Sequence, residues 1–160
     1  MSTIPLGEVT ILLVEDSKVD AELIAEALKD SNLPHHLDLA RDGQEALDLL
    51  RSREERPHLV LLDLNLPKIG GLDVLKTMRR DPKLRIIPVI VLSNSQYQED
   101  VARCYASYCN AYIRKPLGYD GLANTIQRTS EFWFKAATLP GSYMTVPPVS
   151  LAPSLPPKKK

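Results

Sequence analysis

Short runs of apolar residues alternate along the chain with longer segments in which apolar residues recur every three or four positions. The uniform runs are typical of strands buried on both faces of a parallel sheet, and the spaced pattern is typical of helices that cover such a sheet. The runs predict five strands, at residues 9–14, 36–40, 58–63, 86–92 and 111–114. The spaced segments predict five helices, with the fourth over 97–108 and the last over 119–136.

Turn and cap residues mark the boundaries between these elements. Ser17 suits the N-cap of the first helix, Asp42 and Gly43 open the second, and Gly70-Gly71 open the third. Strand and helix alternate five times with short connections. This order predicts an α/β fold with a doubly wound parallel sheet and helices on both of its faces.

The chain divides into one domain and two flanking segments. Residues 1–8 are interpreted as a lead-in and residues 9–139 as the domain. Residues 140–160 contain six prolines among small residues and end in three lysines. A segment of this composition cannot form a core, and we expect it to be disordered or extended.

Charge and cysteine content narrow the class of protein. The chain has 20 basic and 20 acidic residues, but its last 24 residues hold three lysines and no acid, so the remainder has a net charge of −3. A mildly acidic surface argues against nucleic-acid binding. Cys104 and Cys109 do not share a helical face, so we expect reduced thiols. With no signal segment and no apolar run of membrane length, we expect a cytoplasmic protein that has no contact with a membrane.

Polar residues follow four of the predicted strands. Glu15 and Asp16 follow the first, Asp63 ends the third, Ser93 follows the fourth and Lys115 follows the fifth. In a doubly wound sheet the first and third strands are neighbours, so we expect the three carboxylates to converge. Three close negative charges need protons or a cation, and oxygen ligands in an accessible cleft suit Mg²⁺. A lysine and a hydroxyl that face the same point suit a phosphoryl group.

Each of these residues also has a simpler interpretation. Glu15 and Asp16 are favourable at a helix N-terminus whatever their function. Asp63 and Ser93 are suitable cap or turn residues, and Lys115 suits a solvated surface. It is their joint occurrence at the ends of successive strands that favours a phosphoryl site.

The same residues resemble the receiver domain of two-component response regulators. The resemblance rests on Glu-Asp after the first strand, Asp63 within Leu-Leu-Asp-Leu-Asn-Leu-Pro, Ser93 after the fourth strand and Lys115-Pro116 after the fifth. It covers about residues 9–136 and implies a flavodoxin-like sheet with strand order 2-1-3-4-5. Ser93 stands where the family more often has threonine, and this serine keeps the hydroxyl donor.

The resemblance implies a role for each position. Asp63 would be the phosphoacceptor, and Ser93 and Lys115 would contact the phosphoryl oxygens. Tyr112 would turn inward on activation, and the Lys115–Pro116 peptide bond would be cis, which completes a switch of Ser93, Tyr112, Lys115 and Pro116. The implied Mg²⁺ ligands are Asp16 and Asp63 through their side chains, Glu15 through water and Asn65 through its carbonyl oxygen.

A narrower resemblance lies at the end of the last helix. The segment from Glu131-Phe132-Trp133-Phe134 through Ala137-Thr138-Leu139-Pro140, together with the residues from Asp63 to Pro67, resembles the small regulators that are partnered with bacterial phytochromes. Trp133 continues the inward stripe of the helix, whereas Phe132 and Phe134 are predicted to lie on other sides. Exposed aromatic surface is typical of interfaces, so we expect a homodimer through the last helix and its neighbours, with these three residues at the interface. The alternative is that the tail folds back over them.

We therefore predict a stand-alone response regulator that accepts a phosphoryl group from a sensor histidine kinase and signals through its last-helix face. We do not expect it to be an enzyme. The only reaction that it would promote after phosphorylation is the hydrolysis of its own phosphoryl group. Two alternatives differ in class. A receiver-like scaffold would bind partners without phosphorylation. A phosphatase of the haloacid dehalogenase type also uses an aspartate nucleophile and Mg²⁺, but it needs a second carboxylate two residues later, where this chain has Asn65.

Overall fold

A computed structural model describes residues 9–141, so the predicted lead-in and nearly all of the proline-rich tail lie outside the described residues. Five strands are present: β1 Val9–Val14, β2 His35–Ala40, β3 Leu59–Leu62, β4 Val89–Ser93 and β5 Ala111–Arg114. They form one parallel sheet in the order β2-β1-β3-β4-β5. The predicted fold class and strand order are confirmed.

Five α-helices connect and follow the strands: α1 Lys18–Asp30, α2 Gly43–Ser52, α3 Gly71–Arg80, α4 Gln98–Ala106 and α5 Tyr119–Glu131. Ser17 caps α1 as predicted, because its Oγ accepts a hydrogen bond from the Asp20 N–H at 3.3 Å. Asp42 caps α2 in the same way, through the Glu45 N–H at 2.8 Å.

Several boundaries differ from the prediction, and the backbone shows the reason for two of them. The strand predicted from residue 86 begins at Val89, because Ile87 donates its N–H to the Leu84 carbonyl in a turn and Pro88 has no N–H to offer to a neighbouring strand. The fourth helix ends before Tyr108, whose φ of 66° is incompatible with a right-handed helix.

The core forms two layers, one on each face of the sheet. Leu12 and Val14 of β1 face a cluster that includes α2 and α3, whereas Ile11 and Leu13 face a cluster that includes α1 and α5. Strands β3 and β4 are buried along their whole length. The alternation of side chains along each strand therefore supplies both layers, and polar groups lie where the strands end.

The chain continues from α5 into a π-helical turn, Phe132–Ala136, in which the Ala137 N–H donates to the Phe132 carbonyl at 2.7 Å. This turn places both Trp133 and Phe134 partly buried against the α1/α5 cluster, and it leaves Phe132 55% exposed. The inward position of Trp133 is confirmed. The prediction that Phe134 lies on another side is wrong, because it assumed the α-helical repeat of 3.6 residues throughout.

Both cysteines are buried free thiols, as predicted, and Cys109 lies beyond the end of α4. Burial raises the pKa of the Cys104 thiol to about 11. None of the helices within residues 9–141 has the length and apolar character needed to cross a membrane.

Candidate functional site

Three carboxylates meet at the carboxyl edge of the sheet. Strands β1 and β3 are paired with Val14 opposite Leu62, so the residues that follow them emerge side by side. Glu15 is 2% exposed, Asp63 is 6% exposed, and Asp16 is open to solvent. One oxygen from each of these three acids lies within 4.8 Å of the other two. The convergence that the strand order predicts is therefore present.

Lys115 reaches this cluster from the end of β5. Its side chain is only 4% exposed, and its Nζ donates to Glu15 Oε2 at 2.6 Å and to Asp20 Oδ2 at 2.9 Å. A longer contact, at 3.4 Å, joins Nζ to Asp63 Oδ2. Burial by itself lowers the pKa of Lys115, but the bonds to Glu15 and Asp20 and the charge of Asp63 raise it above its ordinary value. The ammonium group is therefore held in its charged form among carboxylates.

The cluster still has more negative than positive charge. Burial raises the pKa of Glu15 to about 7, the hydrogen bond from Lys115 acts against this rise, and the charge of Asp63 adds to it. A bound divalent cation would relieve the repulsion between the Glu15 and Asp63 carboxylates. The donors are all oxygens and Asp16 is open to water, which is the donor set that suits a hard cation such as Mg²⁺.

Ser93 lies on strand β4, and Tyr112 lies on the neighbouring strand β5. Ser93 ends β4 with no solvent exposure, and its Oγ accepts a hydrogen bond from the Ser95 N–H at 3.1 Å, which leaves the hydroxyl proton available to another acceptor. Tyr112 is half-buried, and its hydroxyl donates to the Ser95 carbonyl at 3.2 Å. The loop after β4 is thus linked to both the site and the edge strand.

The arrangement has known counterparts. The sequence model of the response regulator receiver domain matches residues 11–127. The chain belongs to this family. The receiver is 42% identical over 137 residues to the response regulator Rcp1 of Synechocystis sp., a match that covers 82% of this chain and 93% of Rcp1. It is a receiver-domain response regulator.

Two solved structures extend the comparison. The phosphorylated cyanobacterial phytochrome response regulator RcpA has a TM-score of 0.81 and 43% identity to the receiver, over 84% of this chain and all of RcpA. The Mn²⁺-bound form of Rcp1 has a TM-score of 0.79 and 40% identity, over 83% of this chain and 99% of Rcp1. A relative of this receiver has thus been solved with a bound divalent cation, and this receiver has an acidic cluster whose oxygen donors suit such a cation.

The predicted cis bond is wrong. No peptide bond within residues 9–141 is cis, so Lys115–Pro116 is trans. Trans is the ordinary preference of a bond before proline, by about 0.5–1 kcal/mol. Pro116 packs against the start of α5, where a Cβ on Gly121 would lie 2.9 Å from the Pro116 ring.

Asn65 lies at the rim of the cluster. It is exposed, and its N–H donates to Asp63 Oδ1 at 3.4 Å. This long contact places the Asn65 backbone next to the acidic cluster. The three aromatic residues of the expected interface lie outside the cluster, in the π-helical turn that follows α5.

Two residues of the site were not predicted from the sequence. Asp20 is a partner of Lys115, and its only sequence signal is an acid three residues after the N-cap Ser17. Gly71 lies directly against Asp63, because a Cβ at this position would be 2.9 Å from the Asp63 carbonyl carbon and 2.7 Å from Leu64 Cα. The double glycine predicts a turn, but it does not reveal which backbone the second glycine touches.

Proposed function

We propose that Asp63 is the phosphoacceptor of this receiver. Its carboxylate ends a buried strand, lies beside two other acids and is 3.4 Å from the Lys115 ammonium. This juxtaposition carries the proposal, because phosphoryl transfer depends on a placed nucleophile and on cations that offset the charge of the phosphoryl oxygens.

A bound Mg²⁺ would supply part of that positive charge. Glu15, Asp16 and Asp63 would hold it, with Asn65 contributing its carbonyl oxygen. The Mn²⁺-bound structure of Rcp1 supports a divalent cation in this family. The chain's own contributions are Lys115, which is already charged at the site, and Ser93, whose hydroxyl proton is free to bond a phosphoryl oxygen.

The phosphoryl donor would be the phosphohistidine of a sensor histidine kinase in the cytoplasm. The N–P bond to the histidine breaks as an O–P bond to Asp63 forms, so the receiver carries an acyl phosphate. The similarity to RcpA, a phytochrome response regulator, supports a phytochrome as that kinase. We assign the receiver the role of a signal carrier that loses its phosphoryl group by hydrolysis and turns over no other substrate.

The signal would leave the site through Ser93, Lys115 and Pro116 and the elements that they contact. A phosphoryl group would attract the Ser93 hydroxyl, whose Oγ accepts a hydrogen bond from the Ser95 N–H. The Ser95 carbonyl oxygen in turn accepts a hydrogen bond from the Tyr112 hydroxyl. A shift of this loop therefore changes the contacts of Tyr112 on edge strand β5. Such a change alters the populations of two arrangements of the surface formed by β5 and its neighbouring helices.

A homodimer through the end of α5 would use part of this surface. The exposed ring of Phe132, in edge-to-face contact with Trp133 at 5.2 Å, supports an interface there. Trp133 and Phe134 are partly covered by the receiver's own core, so Phe132 is the most exposed of these three aromatic residues.

Incubation with acetyl phosphate and Mg²⁺, followed by intact mass and light scattering, tests both proposals. We expect one phosphoryl adduct on the wild type and none on Asp63→Asn, and we expect a dimer in at least one phosphorylation state. A wild type without an adduct would favour the unphosphorylated scaffold, and turnover of many acetyl phosphate molecules per receiver would favour a phosphatase.

A further inference from the structure

Asp20 provides a fourth carboxylate beside the site. It lies in the first turn of α1, and its Oδ2 accepts a hydrogen bond from Lys115 Nζ at 2.9 Å. The same ammonium donates to Glu15 at 2.6 Å and to Asp63 at 3.4 Å. All three of its protons therefore have carboxylate acceptors, and the ammonium is closer to Asp20 than to Asp63.

Asp20 differs from the other two acceptors in its position. Glu15 and Asp63 belong to the three-acid cluster that could hold a cation, and Asp20 does not. A cation in the cluster would compete with Lys115 for Glu15 and Asp63, but it would leave Asp20 as an acceptor. The ion pair is also shielded, since the side chain of Lys115 is 4% exposed and that of Asp20 is 28% exposed.

We infer that Asp20 is a positioning residue that competes with a phosphoryl group on Asp63 for the Lys115 ammonium. The inference rests on the proposed role of Asp63. A phosphoryl group can form a full ion pair with the Lys115 ammonium only by drawing it away from Asp20. The Asp20 carboxylate therefore opposes phosphoryl binding. When this charge is removed, the acceptors left to Lys115 are Glu15 and Asp63, both next to the position of the phosphoryl group.

The test uses Asp20→Asn, which keeps the size of the side chain, and beryllofluoride with Mg²⁺, which mimics a phosphoryl group on a carboxylate. We expect the affinity for beryllofluoride, measured by calorimetry, to rise about 3- to 10-fold, the range set by the loss of one partly shielded ion pair. The matched control is Glu22→Gln on the same helix. Glu22 is exposed and forms no ion pair with any residue of 9–141, so its removal should change the affinity less than about twofold.

A double-mutant cycle shows whether Asp20 acts through Lys115. In a Lys115→Gln background, Asp20→Asn should change the beryllofluoride affinity less than about twofold, because the ammonium group for which Asp20 competes is absent. An affinity that Asp20→Asn leaves unchanged in the wild-type background would overturn the inference. The same gain in both backgrounds would also overturn it, since the effect would then be one of charge alone.

A measurement without any phosphoryl group separates this inference from the proposed function. In ¹⁵N-lysine NMR of the free receiver, the Lys115 ammonium protons should exchange with water severalfold faster in Asp20→Asn than in wild type or Glu22→Gln. Equal exchange in all three proteins would overturn the positioning role. If the wild type took up neither phosphate nor beryllofluoride, the proposed function would be overturned. The exchange rates would still show whether Asp20 holds the Lys115 ammonium.

Discussion

The close approach of Gly71 to the backbone of Asp63 makes Gly71→Ala a specific probe of the site. The new Cβ would come closest to the Asp63 carbonyl oxygen, and it would lie 2.7 Å from Leu64 Cα and 2.9 Å from the Asp63 carbonyl carbon. All three are backbone atoms that cannot rotate away. Gly70→Ala is the matched control, because a Cβ there meets nothing closer than the Leu64 carbonyl oxygen at 3.9 Å. Gly70 also has a φ of −66°, which alanine adopts without strain.

The expected size of the effect follows from these distances. Restoring an ordinary carbon–carbon separation of about 3.5 Å to Leu64 Cα requires a backbone shift of about 0.8 Å, and the closer contact with the Asp63 carbonyl oxygen requires a larger one. Overpacking of this kind costs about 1–3 kcal/mol, which exceeds the gain of up to about 1 kcal/mol from replacing glycine by alanine in a helix. A displacement approaching 1 Å at a reacting group lowers a rate by up to about 100-fold.

We therefore expect Gly71→Ala to unfold at lower urea concentration and to take up phosphate from acetyl phosphate about 10- to 100-fold more slowly per folded molecule. Gly70→Ala should change stability by less than about 1 kcal/mol and leave the uptake rate within about twofold. Intact mass against time gives the rate, and urea titration gives the folded fraction. Equal stability and uptake in the two variants would refute the assigned contact, and a loss of stability with normal uptake would refute its effect on Asp63.

Three further predictions concern other parts of the receiver. The Arg79 side chain donates hydrogen bonds to the carbonyls of Arg85, Ile87 and Tyr108 and to Asn110 Oδ1. Arg79→Leu should therefore lower the free energy of unfolding, measured by urea titration, by about 2–4 kcal/mol. A loss below about 1 kcal/mol would contradict these contacts. Burial lowers the pKa of His58 below 6.5, so the unfolded state binds the proton more readily and the contribution of His58 to stability, complete above about pH 6.5, is lost as the pH falls. The wild type should accordingly lose more stability between about pH 7 and pH 5 than His58→Asn does, and parallel losses would argue against this effect. Phe132→Asp should shift light scattering from dimer to monomer without loss of phosphate uptake, whereas an unchanged dimer would exclude this surface.

The fold could be predicted because its determinants are local. The uniform apolar runs specify buried strands, and strand order then brings Glu15, Asp16 and Asp63 together without any knowledge of side-chain conformation. A run alone does not define where a strand begins. Ile86 and Ile87 are as apolar as the strand that follows, but they lie in the turn before Pro88.

The rest depends on contacts between residues distant in sequence or on departures from a regular repeat. Asp20 and Lys115 are 95 positions apart, and nothing in the sequence near either residue indicates that the lysine crosses to α1. The position of Phe134 follows from the π-helical turn, and a prediction based on α-helical periodicity cannot include such a turn. The cis bond before Pro116 is an expectation from the resemblance and from the position of the bond at the end of a strand, and the bond is trans.

Chemical location of the phosphoryl group tests the central proposal most directly. After treatment with acetyl phosphate and Mg²⁺, borohydride reduces an aspartyl phosphate to homoserine, and peptide mass spectrometry then identifies the modified position. We predict homoserine at position 63, absent when Mg²⁺ is removed by chelation. Homoserine at another acid, such as Asp16, or no homoserine in a receiver that has taken up phosphate, would contradict the assignment of Asp63.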